Sequence, residues 1–221
     1  MFKKVLIAED HEMINISVQR TAEELKIPVI DHVHYCDDAV EKLKKSLREN
    51  NPYDLLITDL YYDTDHREQQ LKDGREMVKE IRKIHPSIKI IFFSGEQKSG
   101  IIDSLFNEYQ INGYVRKGRN DGKELKKAIT TVFNGNNFLA LEAQQDLKKL
   151  NSYEFTSFDV TVISLLSQGI MQKNIPTYLV NNNITPNSIS TIEKRLNVLK
   201  EELGITNNEQ LIAFCKDLGI I

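Results

Sequence analysis

Apolar positions in the first half of the chain fall into short runs separated by amphipathic stretches. Val5-Leu6-Ile7-Ala8, Val29 to Tyr35, Tyr53 to Leu60, Ile88 to Phe93 and Gly113-Tyr114-Val115 are the runs. Periodicity alone leaves such runs open to a buried helical piece, but turn residues such as Asn50, Asn51 and Pro52 bound them as strands buried on both faces. Between them the pattern changes to helical spacing. Ile14, Val18, Ala22 and Leu25 line a helix over 12–26 that Pro28 ends, and Ala39, Leu43 and Leu47 line a second that Asp37 and Asp38 can cap. Further helices are predicted from Gly74 to about His85, near Ile101 to Tyr109, and from Lys123 to Phe133. Five strand-helix units in succession predict an α/β fold, a doubly wound five-stranded parallel sheet with right-handed crossovers.

The pattern breaks at Asn134-Gly135-Asn136-Asn137, and a polar stretch follows, so a linker is placed at 134–153 between a first domain over 1–133 and a second over 154–221. The second part shows no strand-like alternation. Val162, Ile163, Leu165 and Leu166 give one short helix, stopped at Gly169, and Asn174 to Leu179 gives another. Thr185-Pro186-Asn187-Ser188 opens a longer helix carrying Ile189, Ile192, Leu196, Leu199 and Leu203, and Thr206 or Asn207 caps a last one. Four short helices with a polar turn before the third predict a small all-α helix-turn-helix module.

Composition narrows this little. The chain has 221 residues, 28% of them charged, and a net charge of -3, so any basic footprint for nucleic acid must be local. Cys36 and Cys215 lie far apart with no C-x-x-C spacing and read as reduced thiols. The apolar stretch after Met1-Phe2-Lys3-Lys4 is too short for a signal peptide or a membrane span, so a soluble cytoplasmic protein with no membrane partner is expected.

The candidate chemistry lies at strand ends. Glu9 and Asp10 close the first strand, Asp59 the third, Ser94 the fourth, and Lys117 follows the fifth. With strand order 2-1-3-4-5, the three acids converge on the crevice where ligands bind in open α/β sheets. Carboxylates so placed call for a cation, and Mg²⁺ suits a site of hard oxygens that also receives a phosphate. Asp59 alone reads more readily as a boundary carboxylate, since Asp favours such positions.

The set Glu9-Asp10, Asp59, Ser94 and Gly113-Tyr114-Val115-Arg116-Lys117 resembles the receiver domain of bacterial two-component response regulators, over 1–133. The resemblance implies that Asp59 accepts a phosphoryl group from a sensor histidine kinase. It further implies Mg²⁺ held by Glu9, Asp10, Asp59 and the backbone carbonyl of Tyr61, with Lys117 on the phosphoryl oxygens and Ser94 and Tyr114 as a switch pair. Such a protein is a phosphoacceptor, with room for autodephosphorylation, and not an enzyme acting on other molecules. A phosphatase of the haloacid-dehalogenase type would need a second acid two residues after the first, where Tyr61 stands.

Two features depart from the receiver pattern. Gly74 lies further from Asp59 than the family spacing, leaving an enlarged loop over 61–73; it reads as a solvated loop, with Asp63, Asp65 and His66 as an alternative second metal set. Gly118 replaces the usual Pro after Lys117, which puts a cis peptide there in doubt. Separately, His32, His34 and Cys36 alternate along the second strand at a spacing compatible with a transition metal, without a fourth ligand.

The second part resembles the helix-turn-helix of the NarL/FixJ (LuxR-type) regulators, through Phe155 to Val160, Leu165 to Gly169 and Lys173-Asn174-Ile175. By that resemblance its third helix enters the major groove of DNA and its fourth forms a homodimer, with Asn187, Ser190, Thr191, Lys194 and Arg195 facing DNA and Lys173 near phosphate. Pro176 implies a second helix that is shortened or kinked. Over 154–221 five basic residues face seven acidic ones, which favours the alternative of a helical domain that docks protein and does not bind DNA.

Overall fold

The computed structural model describes residues 1–140 and 155–221, and they form two compact units, one α/β and one helical. The part of the expected linker from position 141 to 153 lies outside the described residues, as does position 154 of the second domain.

Up to position 139 the chain runs β1 (Lys4–Ala8), α1 (Glu12–Glu24), β2 (Val29–Val33), α2 (Cys36–Arg48), β3 (Leu55–Thr58), α3 (Gly74–Ile84), β4 (Lys89–Ser94), α4 (Ser99–Asn107), β5 (Gly113–Arg116), α5 (Asp121–Phe133) and β6 (Phe138–Leu139). All strands are parallel, in the order β2-β1-β3-β4-β5-β6. The central order is the expected one. Two residues of the segment assigned to the linker extend the sheet by a sixth strand, pairing Phe138 and Leu139 with Gly113 and Tyr114.

Side-chain alternation divides the core into two layers. Val5, Ile7, Leu55, Ile57, Ile91, Phe93 and Val115 face α1 and α5, which contribute Val18, Ala22, Leu125, Ala128, Ile129 and Val132. The alternate residues Leu6, Leu56, Ile90 and Phe92 are fully buried on the other face, where α2 and α3 pack on each other. Register then decides where the acids go. Ala8 pairs with Thr58 on one side and Val33 on the other, so Glu9 and Asp59 both follow the last paired residue of adjacent strands.

Two expectations are corrected. Asp37 and Asp38 do not cap α2: the N-cap is Tyr35, and both acids lie in the first turn. His32, His34 and Cys36 do not share a strand face, because β2 ends at Val33 and Cys36 is a buried residue of α2; His32 and His34 meet edge to face with ring centroids 5.6 Å apart.

The helical unit contains α6 (Ser157–Ser167), a 3₁₀ turn (Gln172–Asn174), α7 (Ile175–Asn181), α8 (Ile189–Leu203) and α9 (Asn208–Asp217). Its core joins Val162, Ile163 and Leu165 of α6 to Ile175 and Leu179 of α7, Ile192, Leu196 and Leu199 of α8, and Leu211 and Cys215 of α9. The caps follow local chemistry. Thr156 and Asp159 form a reciprocal capping box, Ser188 accepts from the Thr191 N–H, and Asn207 accepts from the Gln210 N–H. Pro176 falls in the first turn of α7, where its missing N–H has no intrahelical partner, so the helix is short and begins there. Gly204 ends α8 in the left-handed region at φ +66°. No helix among the described residues is long and apolar enough to cross a membrane.

Candidate functional site

The carboxyl ends of β1, β3, β4 and β5 gather the site. Backbone bonds hold them level: Asp59 N–H to Ala8 O at 3.2 Å, Glu9 N–H to Val33 O at 3.1 Å, and Lys117 N–H to Ser94 O at 2.8 Å. Glu9, Asp59 and Ser94 are buried.

Lys117 supplies the cation that this group of acids requires. Its Nζ donates to Asp59 Oδ2 at 2.5 Å and lies 2.9 Å from Glu9 Oε2. Burial pulls the Lys117 ammonium down, and the bonds and charges of Asp59 and Glu9 outweigh it, leaving the group above its ordinary value. Burial also raises the Glu9 carboxyl, against the pull of Lys117. The other Asp59 oxygen, Oδ1, accepts from the Leu60 N–H at 2.5 Å and the Tyr61 N–H at 3.4 Å. One oxygen is thus anchored on the main chain and the other faces the lysine.

Asp10 turns towards the loop. Its Oδ2 accepts from the Asp63 N–H at 2.7 Å and its Oδ1 lies 3.0 Å from His11 Nδ1. The bond and charge of Asp10 raise the His11 imidazole above its ordinary value. Among the described residues, the group able to converge on one metal ion is Glu9, Asp10 and His11, with ligand atoms all within 4.8 Å of one another. The sequence reading missed His11. Its adjacency to two acids was the available signal, but the direction of the ring depends on where α1 begins.

The two residues expected to form a switch pair sit differently from one another. Ser94 is buried at the end of β4, and the Tyr114 ring is buried in the sheet, its hydroxyl donating to Glu96 O at 2.6 Å. Tyr61 reaches the same residue, its hydroxyl donating to Glu96 Oε2 at 2.5 Å; burial first, then the Glu96 carboxylate, pushes its phenol up to about 12.

The enlarged loop is solvated, as expected, with most of its residues exposed, and hydrogen bonds tie it to the domain. The Tyr62 hydroxyl donates to Ala8 O at 2.8 Å and lies 2.8 Å from Thr58 Oγ1. The Tyr35 hydroxyl donates to Asp65 Oδ2 at 2.6 Å, and Arg67 packs over the Tyr35 ring and forks onto Asp38. Asp37 accepts from the Gln70 and Leu71 N–H groups at 2.8 and 3.0 Å. The acids at the start of α2 therefore bind the loop in place of capping their own helix. Asp63, Asp65 and His66 form no common metal set among the described residues. At the end of the loop Asp73 caps α3, and Gly74 packs so closely on Asp59 that a Cβ there would lie 2.2 Å from the Asp59 carbonyl oxygen. The glycine meets the Asp59 backbone despite the longer spacing. The Lys117–Gly118 peptide is trans.

In the helical unit, Lys173 is exposed in the turn before α7, and Ser190 and Lys194 are exposed on α8; Asn187 and Thr191 are partly covered. Arg195 points elsewhere. Its Nε and Nη2 donate to the two carboxylate oxygens of Asp159 at 2.6 and 2.7 Å, and that carboxylate is fully buried.

Comparison with known proteins accords with this geometry. Residues 5–130 match the family model of the response regulator receiver domain. No curated protein matches the chain. Among solved structures, the RcsB response regulator of Salmonella typhimurium aligns over 96% of this chain and 97% of its own, at 22% identity and a TM-score of 0.62. RcsB of Salmonella enterica serovar Typhimurium, bound to promoter rprA with a phosphomimetic BeF3-, aligns over 98% and 99%, at 22% identity and a TM-score of 0.63. A structure of two RcsB dimers bound to two parallel DNAs aligns over 98% of both chains, at 22% identity and a TM-score of 0.68. At that identity the likeness is one of fold, along both units. The receiver match spans more than half of the chain, and the protein belongs to the response regulators.

Proposed function

We propose that the protein is a phosphorylation-controlled, DNA-binding response regulator of the cytoplasm, phosphorylated on Asp59 by a sensor histidine kinase. The observation that carries the reading is Lys117 Nζ bridging Asp59 Oδ2 and Glu9 at the ends of β5, β3 and β1. Asp59 Oδ2 forms the new bond to phosphorus as the phosphohistidine P–N bond breaks. Lys117 then exchanges its carboxylate partner for a phosphoryl oxygen, and the main-chain bonds to Oδ1 keep the carboxyl oriented. Glu9, Asp10 and Asp59 present hard oxygens that fit Mg²⁺, which when bound offsets charge on the transferring group. Ser94 and Tyr114 report the phosphoryl group to the surface.

For the output, the support is the RcsB fold, solved on DNA, together with exposed Lys173, Ser190 and Lys194 and partly covered Asn187 and Thr191 on and before α8. Net acidity of the helical unit makes a homodimer the form that binds, since two copies double the local cationic contacts. Arg195 serves structure through Asp159. Incubation with a small acyl phosphate and Mg²⁺ adds one phosphoryl mass to the wild type and none to Asp59→Asn; equal labelling overturns the acceptor. Selection from random-sequence DNA with the phosphorylated chain enriches a site, and failure to enrich, even with enforced dimers, transfers the output to protein docking.

A further inference from the structure

The exposed side of α8 carries polar groups that neither the helix cap nor the core uses. At the start of the helix the Ser188 hydroxyl accepts from the Thr191 N–H at 3.2 Å and lies 3.1 Å from Ser190 Oγ and 2.8 Å from Thr191 Oγ1. The hydroxyls of the first turn are thus engaged with one another. Ile192, Leu196 and Leu199 turn into the core, and Arg195 is held by Asp159. Glu193, Lys194 and Asn197 are left exposed, and among the described residues none of the three has a hydrogen-bond or ion-pair partner. At about 100° per residue they share an arc of roughly 100°, on the side turned away from Ile192, Leu196 and Leu199. Glu193 and Asn197 stand one turn apart, about 6 Å along the axis, which is close to two steps of the roughly 3.4 Å base-pair rise.

The chemistry of each group decides which base edge it meets in a major groove. A carboxylate only accepts. The cytosine N4 amino group stands there with no acceptor beside it on its own base, whereas the adenine N6 amino group adjoins N7, which repels a carboxylate. Asn197 carries both a donor and an acceptor and matches adenine N7 and N6, and Lys194 donates to guanine. We infer that Glu193 and Asn197 are base-reading residues, so that the DNA half-site of this chain holds a cytosine met by Glu193 and an adenine met by Asn197. Neither residue is among those the sequence placed on DNA. An acid here weakens attraction to the phosphate backbone, which is the same for every sequence, and gains only where its amino partner stands, so Glu193 rejects wrong sites as well as favouring the right one. The inference rests on the DNA-binding reading of the helical unit and adds the bases it reads.

The test is selection from random-sequence DNA with the full phosphorylated chain, run in parallel for the wild type, Glu193→Gln and Asn197→Ala. The wild-type site shows a fixed C·G pair and, about two steps away, a fixed A·T pair. Glu193→Gln exchanges the cytosine for adenine, the base a Gln side chain pairs with through two bonds, and Asn197→Ala loses the preference for adenine alone. On the selected site, replacing the C·G pair costs the wild type about tenfold or more in affinity and costs Glu193→Gln little, while Glu193→Gln binds non-specific DNA more tightly than the wild type does. An enriched site whose base preferences are the same in all three proteins overturns the assignment and leaves DNA binding standing. Enrichment of no site by the wild type, even with enforced dimers, overturns the DNA-binding reading and the assignment with it.

Discussion

Removing one side of the Asp159–Arg195 pair tests how the helical unit holds α8. Asp159 is fully buried and its carboxylate receives four bonds: the Thr156 N–H and hydroxyl at 2.8 Å each, Arg195 Nε at 2.6 Å and Arg195 Nη2 at 2.7 Å. Loss of the reciprocal cap costs about 1 kcal/mol. Breaking a buried pair costs about 3–5 kcal/mol when the survivor is left dry, but the Arg195 side chain is 33% exposed and can take water, which reduces that to about 2 kcal/mol. Asp159→Ala should therefore cost about 3 kcal/mol. Arg195→Met should cost a similar amount for the opposite reason, because it strands a buried anion. The double variant should cost about 4 kcal/mol, a coupling of about 2 kcal/mol. The chain has no Trp, so hydrogen exchange of the slowest α6 and α8 amides in the full chain is the better assay. Each single variant should speed their exchange about 100-fold. Additive single effects, or a shift below about 0.5 kcal/mol, would refute the reasoning. So would loss of DNA binding in Arg195→Met with protection intact, which would return Arg195 to the DNA face. Acid gives the same answer by another route. Burial raises the Asp159 carboxyl, but the bonds from Arg195 and Thr156 outweigh it and hold the group below its ordinary value. Its contribution is then complete above about pH 4 and is lost as pH falls through the lower folded value, which an NMR titration of the Asp159 carboxyl carbon reads directly.

Three further outcomes follow from the first unit. Gly74→Ala places a methyl 2.2 Å from the Asp59 carbonyl oxygen, so α3 or Asp59 must move; thermal unfolding should show a loss of about 3 kcal/mol or more and acyl-phosphate labelling should slow. Tyr62→Phe removes the hydroxyl shared by Ala8 O and Thr58 Oγ1, costing about 1 kcal/mol and raising the rate of proteolytic cleavage over 63–70. Gln69 buries both amide atoms without a hydrogen-bond partner, so Gln69→Met should leave the melting temperature unchanged or raise it, and a clear fall would show a bond there.

The strand-end site was legible because a parallel sheet turns sequence position into place: a run of apolar residues fixes where a strand ends, and neighbouring ends are level. Glu9, Asp59 and Lys117 therefore meet although 58 residues separate the last two. Side-chain direction on a helix was not legible in the same way. Lys194 and Arg195 are neighbours in sequence but about 100° apart around α8, and only the packing of α6 decides that Arg195 turns to Asp159 while Lys194 faces water. The loop over 61–73 is solvated, as its polar composition implied, but its anchoring was not legible. Its bonds to Ala8, Asp10, Asp37 and Asp38 join segments that no local pattern connects. The sixth strand escaped for want of length, since two residues carry no period. His32, His34 and Cys36 misled because an alternating count was continued past the residue where the strand stops.

Glu96 is gripped twice, by the Tyr61 hydroxyl on its carboxylate and by the Tyr114 hydroxyl on its carbonyl. A segment held at one point can pivot by small degrees, but one held at two must break both bonds to leave. The stretch after β4 is thereby a clasp: it joins the loop that follows Asp59 to the ring on β5 through one shared residue.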